Sequence, residues 1–483
     1  MRILFTHSYF LHYDPKQVAH AQPYPPLGTL VAASAVREKG FKVQLFDPMF
    51  AGHPDEIIPA LEKFKPDVLV VYDDGFNYLT KMCLSNMRRA SFVMQEHARK
   101  YNCKVIVTSS DAADHYATYL RNQSHFVMIG EAENTLVELL NAIKKNAPDY
   151  EFINGLAYLR NGEPFKTPAR AVSKKPDEFP LPAWDLVNIE PYERTWKKKH
   201  GYFSINVATT RGCPYKCNWC AKPIYGNMYN MRSPQNVIDE IKMLKERFDF
   251  SHIWFCDDIF GLKRSWVSEF AALVQKENLK FRYKIQSRAD LLVQEQYVED
   301  LAASGCDDVW LGAESGSQAI LDAMDKGTTV EQIKEARALL KKHNIKASFF
   351  LQFGYPGETF DDIKKTIALV KETMPDDIGI SVSYPLPGTL FYENVKDQLQ
   401  KTNWTDSDEM ALLFRNTYSA GFYKQLHHYV HQLYRRTKAE KRIRIMNRFT
   451  DLKKLLAWPF YNRATKKSYS KLRQTEPDAN ISI

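Results

Sequence analysis

The sequence has no uninterrupted apolar run approaching the length needed to span a bilayer, which argues against a helical membrane protein. It also offers no secretory leader, because Met1-Arg2-Ile3-Leu4-Phe5-Thr6-His7 turns polar too soon and reads as a first strand. Cysteine is sparse. Of seven in 483 residues, three are clustered and Cys83, Cys103, Cys256 and Cys306 are scattered, so a disulfide framework is excluded and a reducing compartment, the cytoplasm, is expected. Neither sign of charge dominates. The formal balance of +9 permits an acidic partner or a membrane surface without requiring either. With 44% hydrophobic and 25% charged residues the composition is that of a globular chain, and its length calls for two or three domains rather than one core.

The clustered cysteines lie in Arg211-Gly212-Cys213-Pro214-Tyr215-Lys216-Cys217-Asn218-Trp219-Cys220, at C-x3-C-x2-C spacing. The preceding run, Phe203 to Thr209, is strand-like, and Gly212 and Pro214 break regular structure, so the thiols fall on a loop beyond a strand end. Soft thiolates this close together suit an iron–sulfur cluster or zinc. A cubane cluster has four irons, and three cysteines leave one iron open for a small molecule. Zinc, with Cys256 or a distant histidine as fourth ligand, remains the competing reading of the spacing.

The triad, with Trp219 just before its last cysteine, resembles the signature of radical S-adenosylmethionine (SAM) enzymes. In that family the open iron chelates the amino and carboxylate groups of SAM. An electron, from a donor such as flavodoxin or ferredoxin, then cleaves SAM to a 5′-deoxyadenosyl radical. The resemblance implies that Cys213, Cys217 and Cys220 are the metal ligands and the catalytic centre.

Residues 1–148 alternate strands (Ile3–Thr6, Val43–Phe46, Val68–Val71, Val105–Val107, Phe126–Ile129) with helical segments such as Leu30–Lys39, Leu84–Lys100 and Thr135–Lys144. That pattern predicts an α/β, doubly wound, Rossmann-like domain binding ligands at the carboxyl ends of its strands. Tyr24-Pro25-Pro26-Leu27-Gly28-Thr29-Leu30 and Gly130-Glu131-Ala132-Glu133 resemble the cobalamin-binding domain that precedes the radical SAM domain in one large subgroup, which includes class B methyltransferase-like and anaerobic Mg-protoporphyrin cyclase-like enzymes. The Asp-x-His-x-x-Gly motif of histidine-ligated cobalamin is absent. The resemblance therefore implies cobalamin without a histidine ligand, or a domain that has lost the cofactor, while the bare fold would also hold a nucleotide. Asp73-Asp74-Gly75-Phe76-Asn77-Tyr78 would lie beside the corrin.

Residues 149–200 read as a connector, with a small hairpin around Asn161-Gly162 and an extended, proline-punctuated stretch from Phe179 to Asp185. There Trp184 is expected to pack between domains. From 201 to 395 six strands (Ser204–Thr209, Ile253–Cys256, Arg282–Gln286, Asp308–Gly312, Ala347–Phe353, Ile378–Ser383) alternate with helices, which implies a partial (β/α)6 barrel. Polar motifs follow the strands: Cys256–Phe260, Gln286–Asp290, Gly312–Ser317, Gly354–Thr359 and Tyr384–Thr389. Arg288 suits the carboxylate of SAM. Glu314 and Asp257 suit its ammonium or ribose hydroxyls. By resemblance Glu314 and Ser287/Arg288 lead a cofactor-binding set that also includes Trp219, Asp257, Ser315 and Pro387. Ser317 and Thr359 could equally be helix N-caps, and the Gly354–Thr359 turn is expected to be architectural.

Residues 396–483 read as helical and basic, after an Asp-rich start at Asp406–Met410. His427 and His431 share a helical face, but no zincin glutamate lies between them, so a surface face is expected. The run Arg435–Arg444, followed by Leu455, Leu456, Trp458, Pro459, Phe460 and Tyr461, fits either a tail packed on the barrel or a peripheral contact with an anionic membrane at its inner face. No nucleic-acid module is recognisable. The expected function is cleavage of SAM for cobalamin-dependent C-methylation, or for cyclisation or rearrangement, of a small-molecule or lipid-like substrate. A radical SAM enzyme without cobalamin is one alternative. A zinc-stabilised binding protein is another, but it leaves the strand-end motifs without a role.

Overall fold

The computed structural model describes the chain except residues 78, 80–83, 146–148, 223, 400–403, 406–413, 446–451 and 476–483; at 442–445 and 452–457 it describes the backbone alone. The chain forms two compact units. The first comprises Met1–Pro214, Ala221–Tyr283 and Asn403–Glu409, and the second Tyr215–Cys220, Lys284–Thr402 and Met410–Ile483. The division falls inside the cysteine loop.

Among the described residues the first unit holds a sheet of seven strands: β1 (Arg2–Thr6), β2 (Lys42–Leu45), β3 (Val68–Tyr72), β4 (Lys104–Thr108), β5 (Phe126–Met128), β6 (Leu156–Arg160) and β7 (Glu163–Lys166). Their order is β2-β1-β3-β4-β5-β6-β7. The first five are parallel, with Ile3 beside Val68 and Val70 beside Ile106. Ile3, Phe5, Val68 and Val70 belong to the apolar core on one face, and Leu4, Leu69 and Val71 to the core on the other. Both faces of the sheet are thus covered, the physical meaning of strands that read as continuous apolar runs. Chain order reverses at β1 and β3, which makes their carboxyl ends the switch point where such sheets bind ligands.

Two features differ from expectation for identifiable reasons. The expected helix at Leu30 begins at Leu27, because the Asp74 carboxylate accepts hydrogen bonds from the Leu27 and Gly28 N–H groups at 3.2 and 3.0 Å. A cap contributed from so far along the chain leaves no local trace. The connector hairpin is the antiparallel edge of the sheet, since Leu156 and Ala157 are buried against β5. Its turn, with Asn161 and Gly162 both at positive φ (55° and 85°), has the hand that matches strand twist. Trp184 is buried within the first unit, donating to Glu240 at 3.4 Å.

The second sheet consists of β8 (Ser204–Val207), β11 (His252–Phe255), β12 (Arg282–Ser287), β13 (Cys306–Glu314), β14 (Lys346–Phe353) and β15 (Asp377–Val382), lying in sequence order; β9 (Thr210–Arg211) and β10 (Asn230–Met231) form a short antiparallel pair. Strand–helix alternation with strands in sequential order puts the helices on one face, as in a partial barrel. In the second unit Val309, Leu311, Phe349, Leu351 and Ile378 are buried on that face. Residues at the alternate positions line the other.

Helices Ala420–Ile445 and Leu452–Thr475 pack on each other. Phe422, Leu426, Val430 and Leu433 are buried, and Trp458 donates to Glu440 at 3.2 Å. Phe460 is 69% exposed. The Asp-rich start at 406–410 and the side chains of Arg442, Arg444, Leu455 and Leu456 lie outside the described residues. Among the described residues no helix is long and apolar enough to cross a membrane.

Candidate active site

In the first unit the chain approaches the cysteines through a corner that Asp257 holds. Its carboxylate, buried just beyond β11, accepts from the N–H and hydroxyl of Thr209 and from the N–H of Thr210, each at 2.7 Å. Burial pushes its pKa up to about 6. Arg211 follows, 5% exposed, pairing with Glu131 at 2.6 Å and Glu133 at 2.9 Å from the loop after β5. Burial, and then its neighbour Glu133, raise the pKa of Glu131. Phe179 stacks on the guanidinium at 3.9 Å. Gly212 comes next at φ 83°, where a Cβ would lie 2.4 Å from the Met228 carbonyl oxygen, so only glycine fits. Cys213 is half-buried. Beyond the triad the chain returns to the first sheet, and a Cβ on Gly75 would lie 2.6 Å from Ile224 Cδ1. Cys256 lies at the end of β11, its thiol donating to the Val207 carbonyl at 3.4 Å, not in the cysteine loop.

In the second unit Tyr215–Cys220 is held from several sides. Asn218 N–H donates to Met324 O at 3.0 Å, and its side-chain amide donates to Ala323 O at 2.6 Å and accepts from the Tyr355 hydroxyl at 2.8 Å. Trp219 packs on Ile320, Met324 and Tyr355, and on Phe391, Val395 and Phe414. The tryptophan beside the last cysteine thus works as an apolar anchor, with its buried Nε1 unpartnered.

Polar groups converge on the same loop. Arg288, at the end of β12, lies 3.5 Å over the Tyr215 ring and pairs with Asp290 at 3.0 Å. Burial opposes its charge, but Asp290, Tyr215 and Cys217 together raise its pKa. Glu314, at the end of β13, pairs with Lys326 at 2.8 Å, both nearly inaccessible. Burial opposes the charge of Lys326 too, and Glu314 and Cys217 outweigh it. A register shift between Gly312 and Glu314, with Glu314 at φ 57°, turns that side chain out of the regular strand. The buried hydroxyls of Ser287 and Thr328 have no hydrogen-bond partner. Such groups are costly unless a ligand completes them.

The remaining motif residues hold the frame. Ser315 bonds Thr366 at 3.0 Å and accepts from Ser317 N–H at 3.1 Å. Ser317 donates to Asp362 at 2.6 Å rather than capping its own helix, whereas Thr359 is a true N-cap in a capping box. Pro387 sits half-buried in the turn before Thr389, which caps Leu390–Val395. Lys326 and Thr328 are functional candidates that strand-end motifs do not reveal. They lie between helices, and only Gly327 marks that loop in the sequence.

On the first sheet's carboxyl side, Asp73 accepts from the N–H and hydroxyl of Ser8 at 2.7 and 2.8 Å. His7 bonds Asp47 at 3.0 Å, and Tyr192 donates to the same carboxylate at 2.7 Å. His53 is an exposed N-cap.

Residues 207–370 match the model of the radical SAM superfamily. An uncharacterized methyltransferase of Pyrococcus horikoshii is 28% identical over 79% of this chain and 81% of its own length. Anaerobic magnesium-protoporphyrin IX monomethyl ester cyclase of Rubrivivax gelatinosus is 24% identical over 83% and 71%. The radical SAM methyltransferase TsrM of Kitasatospora setae, solved with cobalamin and a [4Fe-4S] cluster, shares the fold with a TM-score of 0.68 at 17% identity, over 82% of this chain and 75% of that one. Residues 207–370 are thus a radical SAM domain, and over most of its length the chain is similar to a methyltransferase and a cyclase and has the fold of a radical SAM methyltransferase solved with cobalamin.

Proposed function

We propose that the chain uses Cys213, Cys217 and Cys220 to hold a cluster at which SAM is cleaved, and directs the product at an unactivated carbon of a small or lipid-like substrate, with methylation, ring closure or rearrangement as the outcome. A [4Fe-4S] cluster held by these three cysteines would supply the electron for reductive cleavage of SAM. The carrying observation is the convergence on the Cys217 loop of Arg288, the Glu314–Lys326 pair and the unpartnered Ser287 hydroxyl. These donors and acceptors fit an amino acid with a ribose attached. Arg288 takes the carboxylate. Glu314, oriented by Lys326, takes the ammonium or a ribose hydroxyl, and Ser287 completes its hydrogen bonding to the ligand. Trp219 and Pro387 give apolar walls. Asp257 and Ser315, whose oxygens are engaged within the chain, position the loops that carry the others. A zinc centre would need a fourth ligand, and Cys256 is bonded within its sheet.

The first sheet is proposed to bind cobalamin, the cofactor that TsrM was solved with. The small residues Ser8, Ser109, Ser110 and Gly130 at the carboxyl ends of its strands fit a flat cofactor there. His7 bonds Asp47 through Nε2 and accepts from the Tyr9 N–H at Nδ1, so both ring nitrogens are engaged and the proposal is cobalamin without a histidine ligand. A flavodoxin or ferredoxin would supply the electron. Salt-sensitive co-sedimentation with anionic vesicles would support a membrane contact through Phe460, Arg435 and Arg436; no sedimentation at low salt would remove it.

Cofactor content after anaerobic reconstitution and gel filtration tests the reading. The wild type is expected to carry about four irons and about one cobalamin per chain. Cys217→Ala is expected to lose the cluster and keep cobalamin. Stoichiometric zinc with no iron would overturn the cluster assignment, and loss of all cobalamin on the column would overturn the cobalamin assignment alone.

A further inference from the structure

The helix-free face of the second unit's strands carries an aromatic surface that the SAM-binding groups do not use. Phe350 on β14 is 36% exposed, whereas its chain neighbours Phe349 and Leu351, which point to the helices, are 0% and 1% exposed. The Trp310 ring on β13 lies against it, centroids 4.7 Å apart and planes at 33°. In register, Phe350 has Gly312 on one side and Gly379 on the other. Both glycines leave room for what lies over them. A Cβ on Gly379 would come 3.0 Å from the Trp310 ring and 3.4 Å from Phe350. A Cβ on Gly312 would come 2.6 Å from Lys326 Nζ and 2.8 Å from Glu314 Oε1. The indole therefore reaches across β14 to β15, and the two rings make a broad apolar layer over three strands. Around it the same face is polar, with Ser348, Gln352 and Ser381 at the alternate positions, and Ser348 bonded to Asp308 at 3.0 Å. Contiguous, partly open aromatic rings rimmed by polar residues are the pattern of a ligand-binding surface. Trp310 and Gly312 are successive positions on that face, so the rings begin one strand pitch, roughly 7 Å, from the Glu314–Lys326 pair.

We propose that Trp310 and Phe350 are the floor on which a flat, unsaturated ring of the substrate stacks, placing its edge next to the Glu314–Lys326 pair. Stacking on a planar surface favours planar partners over puckered, saturated ones. Glycine at 379 and 312 keeps the layer flat. The position matters for chemistry only on the preceding reading that SAM is held at Glu314. The ring-binding claim itself needs no turnover.

Equilibrium dialysis of reconstituted protein, without reductant, tests it. The flat probes are protoporphyrin IX and L-tryptophan, and the saturated probe is cholate. At least one flat probe is expected to bind more tightly than cholate. Phe350→Ala should weaken that binding about tenfold, Phe350→Tyr should retain it, and Gly379→Val, which puts methyl groups into the layer, should also weaken it. Circular dichroism checks that each variant is folded, and Phe350→Leu replaces any alanine variant that is not. Binding of cholate at least as tight as that of the tighter flat probe, absence of flat-probe binding, or flat-probe binding indifferent to Phe350→Ala and Gly379→Val would overturn the proposal. Failure to cleave SAM would overturn the proposed function instead and leave these affinities unchanged.

Discussion

Glu358 closes the Gly354–Thr359 turn from inside. One carboxyl oxygen accepts from the Gly354 N–H at 2.7 Å, the other has no partner, and burial pushes the pKa up to about 8. The folded chain thus holds a proton that the unfolded chain releases at the ordinary carboxylate value. Stability is full below that value, falls as pH rises from about 4.5 to about 8, and levels off above. Glu358→Gln keeps the shape of the protonated acid and removes its share of the slope. Thermal melts at pH 5 and pH 8.5 should show a smaller loss of Tm for the variant than for the wild type; equal losses would place the proton elsewhere. Glu314 is a buried carboxylate used differently. It pairs with Lys326 at 2.8 Å, and its backbone, at φ 57°, is strained to aim it. Glu314→Gln removes the charge and keeps the shape. SAM affinity should fall by about tenfold or more, the worth of a charged hydrogen bond, with cluster absorbance unchanged. Unchanged affinity would move the ammonium site away from Glu314. Glu314 was legible because it ends a strand. Lys326 was not, since a buried lysine on a loop looks in sequence like any surface lysine.

At the scale of elements, the cysteine loop depends on Gly212 for its entry. Gly212→Ala would force a Cβ against a carbonyl at 2.4 Å and hold alanine at φ 83°, costing more than about 1 kcal/mol. Because the strain falls one residue before Cys213, the expected result is a lower iron content per chain together with a lower Tm; wild-type values for both would show that the loop yields. Strands were readable where both faces are buried, as in Val68–Tyr72, because a short unbroken apolar run must be covered on both sides. Element ends were readable where the cap is local, as at Thr359. They were not readable where the partner is remote, as when Asp74 starts the helix at Leu27. The approach of Gly316 to the next helix, where a Cβ would lie 2.4 Å from the Lys365 carbonyl oxygen, accounts for the glycine in the Glu314–Ser317 turn. Nothing in the local sequence names that partner.

For the whole molecule, the parallel strands of two sheets, each announced by its own strand–helix alternation, were legible from periodicity, whereas the antiparallel edge of the first was not. The candidate site was indicated by one loop and a series of strand-end motifs. Its supports were not. Arg211 is held by Glu131 and Glu133, from a distant part of the chain. Trp219 is anchored by side chains from several separate segments. The central claim is that this chain cleaves SAM reductively at its three cysteines, and the most direct measurement is 5′-deoxyadenosine formed from SAM by the anaerobically reconstituted, dithionite-reduced protein, followed by mass spectrometry. The account predicts 5′-deoxyadenosine and methionine in equal amounts from the wild type and neither from Cys213→Ala, Cys217→Ala or Cys220→Ala. A fully iron-loaded, reduced wild type that leaves SAM intact, or a cysteine variant that cleaves it at the wild-type rate, would contradict the account.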